Sequence, residues 1–515
     1  MCYFGKMEKL RLPVMTRWDW VALIGIIPAS LAFQMNGVVV GWLAYTISFI
    51  AFVDATPQQC FRRAAIAGAG AGVINFGWML VAGDRFTGSG ILLSVGIIAL
   101  LSCFLALYLG SIGWLYATLK RKHFTNVYSL WNLVNAVILA CIFVMYDAFM
   151  IYVADSFALI LYVSYITVSS DFYAIQPASV FGPLVISFFV IFLNGVLAHI
   201  IYYRAWKLLY LPVLTLGLYY SWGFLILKSY EGSLKMQESF PVAIIAENID
   251  PEFKWNDQNG NALVKQLFKL TTEAIEKNAK LIVWSETVIP WNFKPDDPFM
   301  NELSRMTSAK GITNLVGINT DYNGRTYYNS VYCLLPEYQL GGRYDKRLAL
   351  SLLEKPFMGL VLPFYNNYGF QIKEGESDLP LSTPLGNVGV LLCNESTIPR
   401  LSNKSVKLGA QFFVNPGNDG WFADTYLAKQ HFYHGRLRAV ETRRDVIVNN
   451  NSGYVGLIKA SGEISEMERR SAGFVSLVQV TPSYYSSFGA RNPNVFLVFS
   501  FLLLLVSVFW GGRFS

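Results

Sequence analysis

Three residues in this 515-residue sequence have the side-chain types that acyl transfer needs: a carboxylate, an ammonium and a thiol. Glu286 stands in IVWSET, Lys346 in GGRYDKRL and Cys393 in VGVLLCNES. A thiol becomes a strong nucleophile only as the thiolate, and a nearby carboxylate can take its proton. An ammonium lowers the thiol pKa and stabilises the oxyanion formed when a carbonyl is attacked. Taken singly, each residue has a plainer reading. Glu286 reads as a helix-capping or surface carboxylate, Lys346 as an exposed base in a charged turn, and Cys393 as an inert buried thiol. Only the set points to chemistry.

Residues 228–493 must position that set, and their pattern alternates short β-rich runs with helical stretches. Strands are expected at Phe240–Glu247, Lys280–Ser285, Asn314–Ile318, Tyr327–Leu335, Val388–Cys393, Phe412–Val414, Val446–Asn449 and Ser476–Val480. Leu263–Lys277 and Tyr426–Thr442 read as helices. Interleaving of this kind makes an α/β domain. Glu286 and Cys393 then fall at or just past strand ends and Lys346 in a loop, where a rigid sheet leaves side chains free to carry chemistry.

The remainder of the chain is of another class. Hydrophobic residues make up 54% of the sequence and charged residues 15%, and mean hydropathy is +0.38. A bilayer core takes about 20 apolar residues as a helix. Candidate spans are Trp20–Phe33, Val38–Val53, Ala64–Ala82, Gly90–Leu115, Leu130–Met145, Val180–Tyr203 and Leu208–Leu227, with Val495–Trp510 closing the chain. Residues 148–170 read as a partly buried segment near the outer face, with a full span as the alternative. The organisation expected is a transmembrane bundle over 1–227, a water-soluble domain over 228–493 and a terminal helix over 494–515. The basic start leads into a retained first helix, since no small-residue cleavage site follows it.

Loop charges orient the bundle. Arg62, Arg63, Lys120, Arg121, Lys122, Arg204, Lys207 and Arg513 fall on the side of the basic N-terminus, while the opposite loops carry Asp84, Arg85, Asp147 and Asp171. By the positive-inside rule the N-terminus is cytoplasmic and residues 228–493 lie outside the cytoplasm. The net charge of +7 is then largely topogenic, and no basic–aromatic motif points to nucleic acid. Six cysteines without a CxxC pair suggest neither a disulfide framework nor a zinc site. His431 and His434 are three apart on a helix but lack a third ligand, so packing or hydrogen bonding is expected of them. No metal or cofactor is implied. The small-residue run Ala67–Gly72 lacks the end of a phosphate loop and is expected to allow close helix packing.

The order WSE at Trp284–Glu286, YDK at Tyr344–Lys346 and GVLLCNE at Gly389–Glu395 resembles the Glu–Lys–Cys triad of the carbon–nitrogen hydrolase (nitrilase) superfamily. ENIDPEFKW (Glu247–Trp255), NDGWF (Asn418–Phe422), HFYHGRLRAVETRR (His431–Arg444) and the Ile175–Asn194 stretch, together with the membrane context, resemble the apolipoprotein N-acyltransferase family within it. The segment between Lys346 and Glu354 is RLALSLLE where that family has a sequence like HLVPFGE, and Asn394 stands where an aromatic residue is common.

The resemblance implies a nitrilase-like αββα sandwich for the soluble domain. It makes Glu286 the general base, Cys393 the nucleophile and Lys346 the support of the tetrahedral intermediate. Glu354 would help hold the lysine, Glu395 and Glu441 would be further acidic positions near the site, and Trp255 would lie on a loop where the acyl chain enters. The implied reaction moves an acyl chain from a membrane phospholipid, through a Cys393 thioester, to the N-terminal amine of diacylglyceryl-cysteine in an apolipoprotein. It implies a monomer in the bacterial inner membrane with its catalytic domain on the periplasmic side. The apolar Phe357–Tyr365 loop is a candidate lid. The alternatives are a membrane-tethered amidase using water as acceptor, and a non-enzymatic scaffold that binds lipoproteins.

Overall fold

The computed structural model describes residues 15–37, 39–82, 90–121, 126–157, 163–233, 237–250, 259–289, 291–351, 354–356, 371–420, 422 and 424–509. Within them, five helices are long and apolar enough to cross a membrane: Arg17–Met35, Ile91–Leu119, Val134–Asp155, Leu184–Tyr203 and Trp206–Ser233. The helix Val495–Phe509 is apolar but shorter.

The helix expected to end at Met145 begins at Val134 and runs on to Phe157, taking in the start of the stretch expected to be a separate segment from 148. Two further regions depart from the hydropathy reading for local reasons. The helix expected from Ala64 begins at Pro57, because Thr56 caps it through a capping box with Gln59 and proline sits at its first turn. The expected span Val38–Val53 is two short helices, Val39–Leu43 and Thr46–Ile50. The break between them is held by Asn194. Its amide oxygen accepts from Tyr45 N at 3.0 Å and Thr46 Oγ1 at 2.7 Å, and its Nδ2 donates to Trp42 O at 3.0 Å. Backbone groups freed inside a bilayer must be satisfied by protein, and one asparagine does this here.

The small-residue run packs as its composition suggests. A side chain at Gly68 would meet Leu105 O at 2.3 Å, and one at Gly72 would meet Ser102 Cα at 2.4 Å. The helices Pro57–Phe76 and Ile91–Leu119 therefore approach backbone to backbone.

The α/β part has two stacked sheets. One runs β13-β1-β2-β3-β4-β5, with β1 Phe240–Ala246, β2 Leu281–Val283, β3 Thr313–Asp321, β4 Thr326–Leu335, β5 Gln339–Asp345 and β13 Phe474–Val480, and the short β6, Gln371–Ile372, pairs with β4 beside this path. The other runs β12-β11-β10-β9-β8-β7, with β7 Leu381–Thr383, β8 Gly386–Val390, β9 Phe412–Asn418, β10 Val446–Asn451, β11 Val455–Ile458 and β12 Ile464–Glu468. Strands β1–β3 are parallel, as are β8–β10. Val242, Ile244, Leu281 and Val283 of the first sheet share a core with Val388, Val390, Val414 and Ile447 of the second. The opposite face of the first sheet packs on the helices Gly260–Glu276 and Pro298–Ser308. The outer face of the second packs on the helix Tyr426–Thr442 through Phe413, Val446, Phe432 and Val440. The order of layers is thus helix, sheet, sheet, helix.

That last helix also joins the two parts. Tyr426 Oη donates to Asn75 O at 2.7 Å and Gln430 Nε2 to Phe33 O at 3.0 Å. Arg436 Nη1 donates to Ser170 O at 2.5 Å, and just past the helix Arg443 Nη2 donates to Gln176 Oε1 at 2.9 Å. All four partners lie at one end of the bundle. The basic residues gather at the other: Arg62 pairs with Asp19 at 2.6 Å, Arg63 Nη1 donates to Ala51 O at 2.6 Å, Lys120 Nζ to Val53 O at 2.7 Å, and Arg121 Nε to Ser507 O at 2.8 Å. The α/β part caps the end of the bundle away from this basic cluster.

Candidate active site

Glu286 lies three residues past β2, in a bend where Thr287 takes φ +51°. The bend sits flat on β3 because residue 317 is glycine; a side chain there would meet Ser285 O at 2.2 Å. Lys346 follows the last residue of β5, and its N–H donates to Asn329 O at 2.8 Å. The same Asn329, from β4, donates its amide to Glu286 Oε1 at 2.6 Å. One asparagine in the middle of a strand thus fixes both the base and the backbone of the lysine.

The Lys346 ammonium is fully buried. Its Nζ lies 2.7 Å from Glu354 Oε1 and 3.4 Å from Glu286 Oε1. Burial opposes its charge, but Glu354 and then Glu286 outweigh burial and hold its pKa well above the ordinary lysine value. Glu354 also accepts from Leu350 N at 2.7 Å, which places it although the intervening sequence diverges.

Cys393 opens a short 3₁₀ turn after β8, in the left-handed region at φ +53°. Its carbonyl accepts from Asn415 Nδ2 at 2.9 Å, His431 Nε2 at 2.7 Å and, within the turn, Ser396 Oγ at 3.3 Å. Burial first, and Glu286 next, push the Cys393 thiol well up, while Lys346 pulls it down. With the thiol form favoured in this way, chemistry at sulfur needs the proton removed during the reaction.

Glu395 is wholly buried and accepts four hydrogen bonds: Tyr344 Oη at 2.8 Å, Arg347 N at 2.5 Å, Leu348 N at 3.1 Å and Leu392 N at 2.7 Å. It fastens the lysine segment to the cysteine turn. Burial raises its pKa against those hydrogen bonds. Glu441 has different neighbours. It accepts from Asn403 at 3.0 Å and pairs with Arg438 at 3.0 Å, bracing the helices Pro399–Lys407 and Tyr426–Thr442 behind the site. Trp255 and the Phe357–Tyr365 loop lie outside the described residues. Among the described residues no group of three or more metal-ligating side chains occurs.

Asn329, Asn415 and the His431–Asp419 pair escaped the sequence reading as site residues. His431 and Asp419 lie inside two of the family-like motifs, which was the available signal. The two asparagines carry none.

Residues 242–470 match the family model for carbon-nitrogen hydrolase. This stretch, somewhat under half of the chain, is similar to a carbon–nitrogen hydrolase domain. Over most of its length the chain is similar to curated proteins named apolipoprotein N-acyltransferase. The one from Geobacter metallireducens is 26% identical over 89% of this chain and 89% of its own. That from Shewanella oneidensis is 26% identical over 82% and 83%, and that from Borreliella burgdorferi 28% identical over 64% and 67%. The resemblance carried by the motifs therefore holds along the chain, and the domain is that of an acyltransferase with a helical membrane part.

Proposed function

We propose that this enzyme transfers an acyl chain from a membrane phospholipid to the N-terminal amine of a lipoprotein, with Glu286, Lys346 and Cys393 as the catalytic residues. The observation that carries the reading is the buried Lys346 ammonium, shared between Glu286 and Glu354 in a site that also buries Cys393.

Glu286 takes the Cys393 proton as Sγ attacks the carbonyl carbon of an acyl ester. Negative charge forms on the carbonyl oxygen, where the Lys346 ammonium stabilises it. The intermediate collapses with cleavage of the bond to the glycerol oxygen, which recovers the proton from Glu286 and leaves as a lysophospholipid. Cys393 now carries a thioester. The α-amine of the diacylglyceryl-cysteine attacks it, passes a proton to Glu286, and the amide forms as sulfur departs and regains that proton. Glu354 and Glu395 hold the lysine and the cysteine turn in register. Transfer to an amine and not to water needs a site that excludes water, and the burial of all three groups suits that need.

Membrane geometry supports the same reading. Both substrates are anchored in a bilayer, and withdrawing a chain costs about 0.8 kcal/mol per CH₂. A domain seated on the bundle meets them without withdrawal. Its place opposite the basic cluster fits a cytoplasmic N-terminus and a periplasmic catalytic side in a bacterial inner membrane. On this reading residues 1–227 are the membrane bundle, 228–493 the catalytic domain and 494–515 the closing helix.

Intact-mass analysis after incubation with phospholipid tests the proposal. The wild-type enzyme gains one acyl mass, lost on addition of a lipidated peptide that becomes N-acylated, and Cys393→Ala gains none. Free fatty acid with no acylated peptide would make water the acceptor, and an acyl adduct on Cys393→Ala would remove the thiol from the mechanism.

A further inference from the structure

We propose that His431 is a positioning residue, a cationic imidazolium held between Asp419 and the main-chain carbonyl of Cys393, which fixes the left-handed turn that presents the nucleophile. The proposal rests on Cys393 being the nucleophile. It concerns a residue that touches only the backbone of that cysteine.

A non-glycine residue in the left-handed region costs about 1–2 kcal/mol, so the turn at Cys393 persists only if its surroundings hold it. Three donors do so on the Cys393 carbonyl: His431 Nε2 and Asn415 Nδ2 at the shorter distances, and Ser396 Oγ, within the turn itself, at 3.3 Å. The other ring nitrogen of His431, Nδ1, lies 2.9 Å from Asp419 Oδ1. Asn450 Nδ2, a donor that would suit an unprotonated Nδ1, also lies 3.4 Å from it, but the Asp419 contact at 2.9 Å is the shorter and sets the proton on Nδ1. A carbonyl and a carboxylate accept hydrogen bonds and cannot donate them. A ring bonded to one at each nitrogen needs a proton on both, which makes it an imidazolium. A neutral ring would turn a lone pair toward either Cys393 O or Asp419.

The surroundings agree. His431 and Asp419 are both buried. The titratable groups facing the ring are Asp419 past the end of β9, Cys393 and Glu286 across the site, and His434 one turn along its own helix. Burial disfavours the cation, but Asp419, the Cys393 carbonyl and Glu286 outweigh it and raise the pKa of His431. Burial, Arg438 and His431 push His434 down to about 3, so it stays neutral and does not compete for the proton. The cation has a second effect. Asp419 is among the charges that push the Cys393 thiol up, and on this proposal a cation paired with that carboxylate would oppose its effect.

The sign of the pH dependence follows. A histidine whose pKa is raised in the fold contributes fully below its ordinary value of about 6.5, and the contribution fades as pH rises through the raised value. Acyl-enzyme formation should therefore show an alkaline limb set by His431.

The test uses the full-length enzyme in detergent. With four histidines in the chain, selective ¹⁵N-histidine labelling gives few signals, and the His431 signal is the one lost in His431→Gln. Protonation of both its nitrogens at neutral pH is expected, and a singly protonated ring there would overturn the proposal. In single-turnover acylation from a fluorescent phospholipid, His431→Gln keeps one donor without the charge. It should be at least tenfold slower with KM changed less than twofold, and it should lack the alkaline limb. Asp419→Asn should move that limb to lower pH. An unchanged limb in both variants would reduce His431 to a packing residue. The labelling result does not depend on the acyl reaction, so failure of the proposed function and failure of this proposal are separable.

Discussion

Tyr344 donates its phenolic hydrogen to Glu395 across 2.8 Å, tying the strand that delivers Lys346 to the turn that begins at Cys393. The same carboxylate takes three backbone N–H groups from both segments. Every partner is a donor, so the position needs four acceptor sites, which a carboxylate has and an amide lacks. Glu395→Gln should turn an NH₂ group toward backbone donors. Hydrogen bonds to a charged group are worth about 1.5–3 kcal/mol each, and the expected result is a fall of a hundredfold or more in acylation rate with a lower melting temperature. A variant within threefold of wild type in both measurements would contradict this account of Glu395.

Asn329 makes a second prediction. Its amide orients the Glu286 carboxylate, and its carbonyl receives Lys346 N. Asn329→Asp keeps the size but sets a like charge against Glu286. Single-turnover acylation should fall by tenfold or more while phospholipid KM changes little, because the loss lies in the alignment of the base. Asn329→Ala should be impaired to a similar degree.

Glu247 follows β1 and is buried, with Oε1 accepting from Ser285 N at 3.2 Å. Burial pushes its carboxyl up from 4.5 to about 7. A raised carboxyl pKa means that the fold favours the protonated form. Its contribution is complete below pH 4.5 and is lost as pH rises through about 7. Glu247→Gln removes that loss. The variant should melt several degrees above wild type at pH about 8 and differ little at pH about 4.5. Equal melting temperatures at both pH values would show that Glu247 is no alkaline-side liability.

Much of this architecture could be read from the chain, and the misses have physical causes. The helix Tyr426–Thr442 was legible at both ends, since Thr425 caps one and Arg443 closes the other in a left-handed turn. The strand expected over Val388–Cys393 stops at Val390. Beyond it the Asn415 side chain takes the Cys393 carbonyl that would otherwise extend the ladder. Strand β5, QLGGRYD, was not anticipated because two glycines interrupt its alternation. The triad could be found by residue type and motif order. Asn329 could not, since it reaches Glu286 across 43 residues of sequence through sheet register alone. Hydropathy missed the break between Leu43 and Thr46 because the groups that satisfy it come from Asn194, on a distant helix.

That break gives the fourth prediction. Asn194→Ala would leave Tyr45 N and Trp42 O without their side-chain partner in an apolar setting, at about 1–3 kcal/mol for each group. The melting temperature in detergent should drop markedly, and Asn194→Asp should recover only part, because it keeps the acceptor and loses the donor. A neutral effect of Asn194→Ala would mean that water can reach the break.

Gln430 and His431 are consecutive residues, yet the first grips Phe33 O at the end of the bundle and the second grips the carbonyl of Cys393. Along a helix axis they differ by about 1.5 Å. On the proposed reading, the reactive sulfur therefore stands at a set depth relative to the bilayer and does not ride on a tether. Such an enzyme works as a gauge: esters at the wrong height are passed over, and lipids of altered thickness should change its rate without any change in its chemistry.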